Sequence, residues 1–504
     1  MLFLYLFYFI IPTIFWDRIN VNALDPSDVV IVILSQKEGY HIAHTEILKR
    51  NIYEQADALD KDPPKIVSSH ELNINGSWTI VPLLEYLLDS YATSKWFFFC
   101  LENTVIRLSK LLNILSKFKE TKNLWIGHAL YDHEPTIIHH FADHTKKFKY
   151  PHIASGFAIT SRLLTSLVQK IIKGERPKDD FSIDASYEFS SFVLKVDKGV
   201  RLTHVPEICI VSSFDCATYP RFFHPCGLSV TSENVYFAIK TCKKYHVERI
   251  PVIKQTWAKY ATHIGYFSDV ADKYLSEAFV VPNTTQGHCA KTYSILVEAD
   301  KILKRKNLNW LIISDDDTIF SVSRLLRLLT CYNSNIALAI GERYGFRLWD
   351  RLHGYEYLTG GAGIALSAPL VHEMIQPGIC NCPSSTTPDD MYLFGICLVR
   401  IGVQPIHSSM FHQVCYTKIF TISIILVVVC KSNQPNVKTE VSILSNCNMR
   451  LLQARPSDYA TAYLASQEPI SFHKFWMIEP QMVYDEWFAE ADKSLVRVRE
   501  HTEL

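Results

Sequence analysis

The sequence predicts an α/β protein with two tandem Rossmann-like domains. Short β-branched or aromatic runs alternate with amphipathic stretches along most of the chain. One order of elements, an aromatic strand, an acidic turn and a Leu-rich helix, occurs twice. The chain also has 504 residues, which is too long for one ordinary domain. Composition agrees with a folded protein: 48% of residues are hydrophobic and 20% charged, with 18 Gly and 22 Pro. That excludes collagen-like, low-complexity and disordered chains. Lys and Arg total 51 against 51 Asp and Glu, so no global charge points to nucleic acid or an anionic membrane.

Residues 2–15 are apolar and uncharged, and Val21-Asn22-Ala23 offers small residues where a signal peptidase cleaves. Residues 1–23 are therefore expected to be a signal peptide, with a type II anchor as the alternative; the run is short for a membrane span. VVIVIL (29–34) reads as a buried strand, as does WFFFCL (96–101), which is followed by Glu102-Asn103-Thr104. Residues 108–118 have a helical pattern. After the Cys- and Pro-containing stretch 209–226 the programme restarts with a strand at 235–239. The apolar run beginning at Trp310 ends in Asp315-Asp316-Asp317, and a helix is expected over 323–332. The expected organisation is a first domain over 25–225 and a second over 230–413 plus 454–500.

Asp315-Asp316-Asp317 follows its strand directly. Carboxylates at i and i+2 beyond a strand end can converge on one hard cation such as Mg²⁺ or Mn²⁺ beside a diphosphate. The same triplet also serves as a solvated turn that caps the next helix. Thr387-Pro388-Asp389-Asp390 reads either as a capping-box-like helix start, with Thr387 as N-cap, or as the source of a carboxylate general base. Thr359-Gly360-Gly361-Ala362-Gly363 brings backbone close to a ligand or turns between strands. His407, His412 and His473, read from the residues alone, are structural histidines rather than ligands. His139, His140 and His144 have helical spacing without a fourth zinc ligand, and so read as an exposed face. Asn75 and Asn283 head glycosylation sequons. The terminal His501-Thr502-Glu503-Leu504 resembles a KDEL-type retrieval signal, which implies the endoplasmic reticulum lumen and its retrieval receptor as a partner.

Taken together, RIPVIKQTW (249–257), YFSD (266–269), VPNTTQGHCAKT (281–292), ISDDDT (313–318), GERYGF (341–346), YEYLTGGAGIALS (355–367), TPDDMYLFG (387–395), HSSMFHQ (407–413), ARPSDY (454–459) and ISFHKFW (470–476) resemble glycosyltransferase family 31, the Fringe-like β1,3-glycosyltransferases. The likeness is greatest to the members that extend O-linked fucose on thrombospondin type 1 repeats with glucose. It implies a GT-A fold in both halves, a UDP-glucose donor, Mn²⁺ and inversion at the anomeric carbon. Carried onto this sequence, it implies Asp315, Asp317 and His412 as metal ligands and Asp390 as the base, with Asp389 as second choice. It further implies Thr256, Ser268, Asp269, Lys291 and Asp316 around the donor, and Gly360 and Gly361 in an acceptor loop. His473 ranks below His412, because Phe475 stands where relatives usually carry a second His. The first half, with Glu102-Asn103-Thr104 in place of the acidic triplet, is expected to lack metal chemistry. The implied partners are O-fucosylated thrombospondin repeats and UDP-sugar, with no nucleic acid. Fringe-type transfer of N-acetylglucosamine or galactose, or an inactive lectin-like or chaperone role, stand as the alternatives.

Residues 414–453 match nothing in that family and interrupt it between Gln413 and Ala454. Their apolar run 419–430 is too short to span a bilayer. We read the segment as translated intron sequence or a gene-model error, with a lineage-specific loop as the alternative. Three of the 13 cysteines, Cys415, Cys430 and Cys447, lie inside it. The ten that remain are an even number, as a disulfide-bonded secretory protein favours.

Overall fold

A computed structural model describes residues 24–131, 148–176, 180–197, 199–273, 275, 278–348, 353–413, 468–475 and 479–502. Residues 1–23, expected as a signal peptide, the histidines at 139, 140 and 144, the segment 414–453, the ARPSDY motif and the last two residues lie outside them.

Two mixed sheets dominate. The first runs, edge to edge, Thr203–His204, Trp125–Gly127, Phe157–Thr160, Trp96–Leu101, Val29–Leu34, Lys65–Ser68. The second runs Ile406–His407, Ala339–Gly341, Ile364–Ser367, Trp310–Asp315, Val235–Lys240, His263–Ser268, Ala278–Val280. Apart from the extra edge strand of the second sheet, the two orders correspond position by position. Each central pair is parallel, and each is flanked by one antiparallel strand, Phe157–Thr160 in the first sheet and Ile364–Ser367 in the second.

The sequence pattern explains the layers. Val29–Leu34 is buried at all six positions because both faces of its sheet are covered. Val30 and Val32 pack with Phe97 and Phe99 on one face, while Val29 and Ile31 pack with Trp96 and Phe98 on the other. Each of these fully buried aromatics contributes roughly 2–3 kcal/mol of transfer free energy. In the second sheet, Val235, Phe237 and Ile239 face one core, and Tyr236 and Ala238 face the other.

The expected strands form, and the helices are shorter than their patterns. They run Leu108–Leu115 and Val322–Leu329. A short strand precedes each, Thr104–Ile106 and Thr318–Phe320. That insertion overturns the reading of the acidic triplet as a helix cap: the N-cap is Ser321, whose Oγ accepts from the amide of Arg324. The capping-box reading of Thr387 is also corrected. The helix starts after Pro388 with no side-chain cap, and Thr387 Oγ1 instead accepts from the Ser384 amide.

The halves meet through several contacts. Phe181–Ser182 pairs antiparallel with Arg343–Phe346, which pairs in turn with Tyr355–Leu358. Gln36 donates to the carbonyl of His407 and accepts from its amide, at 2.9 and 2.8 Å. Of the ten described cysteines, eight form the disulfides 209–216, 226–331, 289–382 and 380–397, while Cys100 and Cys242 remain thiols. Among the described residues, no helix is long and apolar enough to cross a membrane.

Candidate active site

The site lies at the carboxyl ends of Val235–Lys240 and Trp310–Asp315, where open α/β sheets bind ligands. Parallel pairing sets Lys240 opposite Asp315. Beyond the strand end, the chain turns through Asp316 and Asp317 into Thr318–Phe320. That strand pairs with Ser471–His473, which pairs in parallel with Phe411–His412. Three ligand atoms, one each from Asp315, Asp317 and His473, lie within 4.8 Å of one another. His473 Nε2 is 3.1 Å from Asp317 Oδ1 and 3.7 Å from Asp315 Oδ2.

The third member is thus His473, and the preference for His412 is corrected. Successive side chains on a strand point to opposite faces. His412 is paired with Phe472, shares its face and stacks on its ring at 5.3 Å. It is 3% exposed, and burial pushes its imidazole down to about 3. His473 is one residue further along and points to the acidic turn.

The orientation of His473 is also supported from behind. Its Nδ1 donates to the carbonyl of Gln413 at 3.1 Å, and the Gln413 amide donates to Glu342. The Gln413 side chain accepts from Thr359 and from the amide of Ala362. With Nδ1 carrying the proton, a neutral ring presents its Nε2 lone pair to two carboxylates. That arrangement is repulsive unless a proton or a cation lies between them. Two carboxylates and an imidazole held by an outer hydrogen bond are a donor set that suits Mn²⁺. Gly361 makes room for the ring: a Cβ there would sit 2.4 Å from His473 Cε1.

Asp316 turns the other way. It is 5% exposed, accepts from Thr241 Oγ1 at 2.7 Å and pairs with Arg249 at 2.6 Å. Burial raises its carboxyl above the usual range. Arg249 also reaches Asp317 at 3.0 Å.

Lys240 connects this cluster to the second acidic pair, lying 3.0 Å from Asp315 and 2.8 Å from Asp389. Burial opposes its charge, but the two carboxylates outweigh that and hold the ammonium above its ordinary value. Asp389 accepts from Thr292 as well, at 2.6 Å. Asp390 accepts from the amide of Met391, and burial followed by the charge of Asp389 pushes it up to about 6.

The remaining expected residues divide. Lys291 donates to the carbonyl of Thr241 at 2.8 Å, and burial lowers its ammonium. Ser268 bonds His246 at 2.7 Å and donates to Asp269, which also accepts from the amide of Lys243. These groups gather around the strand ends at Thr241. Thr256 does not present its hydroxyl to them. It is fully buried and donates to the carbonyls of Val252 and Ile253 in its own helix. Gly361 backs His473, whereas Gly360 has open space at its Cβ position. Asn75 and Asn283 are exposed. Sequence reasoning missed Lys240, Arg249, Glu342 and Gln413. A Lys closing the apolar strand VYFAIK was the one available signal.

Carboxylates at a strand terminus, a backed imidazole and a second acidic pair joined by a buried Lys form a candidate active site on an α/β frame. The Fringe-like family profile matches residues 230–494. The chain is 38% identical over 479 residues to a beta-1,3-glucosyltransferase of Mus musculus, spanning 93% of this chain and 88% of that protein. A beta-1,3-glucosyltransferase of Homo sapiens is 38% identical over 485 residues, with 94% and 88% covered. The beta-1,3-N-acetylglucosaminyltransferase lunatic fringe of Gallus gallus is 27% identical over 206 residues, 36% of this chain and 56% of that protein. The chain belongs to the Fringe-like family of glycosyltransferases, and it is a hexosyltransferase.

Proposed function

We propose that the protein is an inverting β1,3-glucosyltransferase that moves glucose from UDP-glucose to O-linked fucose on thrombospondin type 1 repeats. The observation that carries this reading is the placement of Asp389 and Asp390 beside the Asp315–Asp317–His473 cluster through Lys240. Identity at 38% to beta-1,3-glucosyltransferases over nearly the whole chain supports glucose over N-acetylglucosamine.

In this reading Asp315, Asp317 and His473 would hold Mn²⁺, which when bound would supply positive charge for the departing diphosphate. Ser268, Asp269, Lys291 and Asp316 shape the donor end of the cleft. Asp390 takes the proton from the acceptor hydroxyl as that oxygen attacks the anomeric carbon from the face opposite UDP. Asp389 is the poorer base because its oxygen is already occupied by Lys240 and Thr292. Lys240 bridges Asp315 and Asp389 and holds the two acidic groups in register. Among the described residues the first half has no counterpart of the Asp315–Asp317–His473 cluster, and we assign it a non-catalytic role. The same reading places the enzyme in the endoplasmic reticulum lumen, retained by a KDEL-type receptor.

The test is transfer in vitro to an O-fucosylated repeat with Mn²⁺ and a panel of UDP-sugars, with and without residues 414–453. Transfer from UDP-glucose alone is expected. Transfer only from UDP-N-acetylglucosamine or UDP-galactose, or from none, refutes the assignment. Asp390→Asn is expected to lose turnover while retaining UDP binding.

A further inference from the structure

The hairpin Arg343–Phe346 and Tyr355–Leu358, completed by Phe181–Ser182 from the first half, forms a small antiparallel sheet. Its register pairs Phe346 with both Tyr355 and Phe181, and Tyr344 with Tyr357. Directly paired residues share a face of an antiparallel sheet, and alternate residues return to it. One face is therefore aromatic throughout. Phe181 lies 5.2 Å from Phe346, Phe346 5.5 Å from Tyr355, and Tyr355 6.5 Å from Tyr357. The opposite face carries Gly345, Ser182 and Glu356, and the first half holds it there: Trp78 Nε1 donates to Glu356 at 2.9 Å.

This face ends at the proposed base. The segment that follows Asp390 crosses directly over it, since a Cβ on Gly395 would come within 2.8 Å of Tyr357 Cβ and 3.0 Å of Tyr355 Cδ2. Tyr357 is buried and Tyr355 and Phe346 are half-buried, while Phe181 at the far end is 39% exposed. The row thus becomes more open with distance from Asp390.

We infer that this aromatic face is the acceptor site, with the acceptor sugar lying on Tyr355 beside Asp390 and the polypeptide that carries it extending over Phe346 to Phe181. The inference rests on the proposed transfer reaction, whose base must touch the acceptor hydroxyl. A sugar ring offers one face of C–H bonds that packs on an aromatic ring, while its hydroxyl edge remains free for the carboxylate. Rigid aromatic side chains also supply contact area at low entropic cost, which favours them as anchors for a polypeptide. The first half contributes the outer end of the site and the strand that stiffens it.

The test compares two acceptors on the full-length protein: an O-fucosylated repeat and a small aryl fucoside with no polypeptide. Tyr355→Ala is expected to raise KM for both by about tenfold, and Tyr355→Phe, which keeps the ring, to stay within about twofold. Phe181→Ala is expected to raise KM about five- to tenfold for the repeat and to leave KM for the fucoside unchanged. UDP affinity, measured without acceptor, is expected to be the same in all three variants. Unchanged acceptor KM values in both alanine variants overturn the acceptor site alone, as does equal damage by Tyr355→Phe and Tyr355→Ala. Failure of the wild-type protein to transfer to either acceptor while it binds UDP overturns the reaction, and this site with it.

Discussion

Asp389 and Asp390 are adjacent, yet their surroundings differ. Asp389 accepts from Lys240 and Thr292, whereas Asp390 is pushed up to about 6 by burial and by the charge of its neighbour. A base must be deprotonated, so acceptor transfer is expected to fall tenfold per pH unit below about 6, measured as kcat/KM. A flat profile down to pH 5 refutes Asp390 as the base. The same shift has a stability consequence. The folded-state value lies above the unfolded one, so the carboxyl's contribution is greatest below the unfolded value and is lost as pH rises through about 6. Asp390→Asn is therefore expected to stabilise the fold at pH 7, by about 1–3 kcal/mol, with the gain absent near pH 4. Thermal melts at the two pH values decide it. Lys240 gives a second residue-scale prediction. Removing one partner of a buried charged cluster leaves the others uncompensated, so Lys240→Met is expected to cost roughly 2–4 kcal/mol in chelator. Added Mn²⁺ should recover part of that loss by supplying Asp315 with a cation; an equal loss with and without Mn²⁺ counts against the metal assignment.

At the scale of elements, the small sheet formed by Thr318–Phe320, Ser471–His473 and Phe411–His412 brings a distant segment to the acidic turn. Its pairing decides which histidine faces Asp315 and Asp317. The loop at Gly361 is built around that ring, and an Ala there drives a methyl into the imidazole. Gly361→Ala is expected to weaken Mn²⁺ binding at least tenfold by displacing His473. Its far-ultraviolet dichroism should stay that of the wild type, because Gly361 has no positive φ that only glycine favours. Titration of the metal, followed by its paramagnetic effect on water relaxation, reads the affinity. Unchanged affinity means that the ring is not a ligand.

Across the whole molecule, the duplication extends beyond strand order. Thr318 Oγ1 donates to the carbonyl of Gly361, and in the first half Thr104 Oγ1 donates to that of Ala154. Where Arg249 meets Asp316 in the second half, His41 meets Glu102 in the first. The two halves are also clamped together. Gln36 satisfies both the amide and the carbonyl of His407, on the edge strand of the second sheet. Gln36→Ala leaves two backbone groups in a half-buried seam without that partner and is expected to cost about 1–3 kcal/mol. A single melting transition that moves down as one unit is expected; a transition that splits in two, or does not move, refutes the clamp.

The sequence by itself determined the α/β class, the two copies and the strands, because fully buried strands between helices leave continuous apolar runs that need no partner to be recognised. It also singled out the acidic triplet and the Thr-Pro-Asp-Asp motif, but left each open between a turn or cap and chemistry, because a local pattern does not show what a carboxylate meets in the fold. Helix ends were less legible: both helices stop three residues before their patterns end, at Leu115 and Leu329, where the chain goes into a turn. Only the tertiary structure decided which histidine joins Asp315 and Asp317. His412 and His473 are equivalent as residue types, and a strand pairing between segments far apart in sequence sets which of them points inward. It also decided the work of Lys240, which lies on one strand and joins carboxylates from two other segments. Local pattern records what a residue prefers to bury or expose; which distant groups it meets depends on register, and register belongs to the folded sheet.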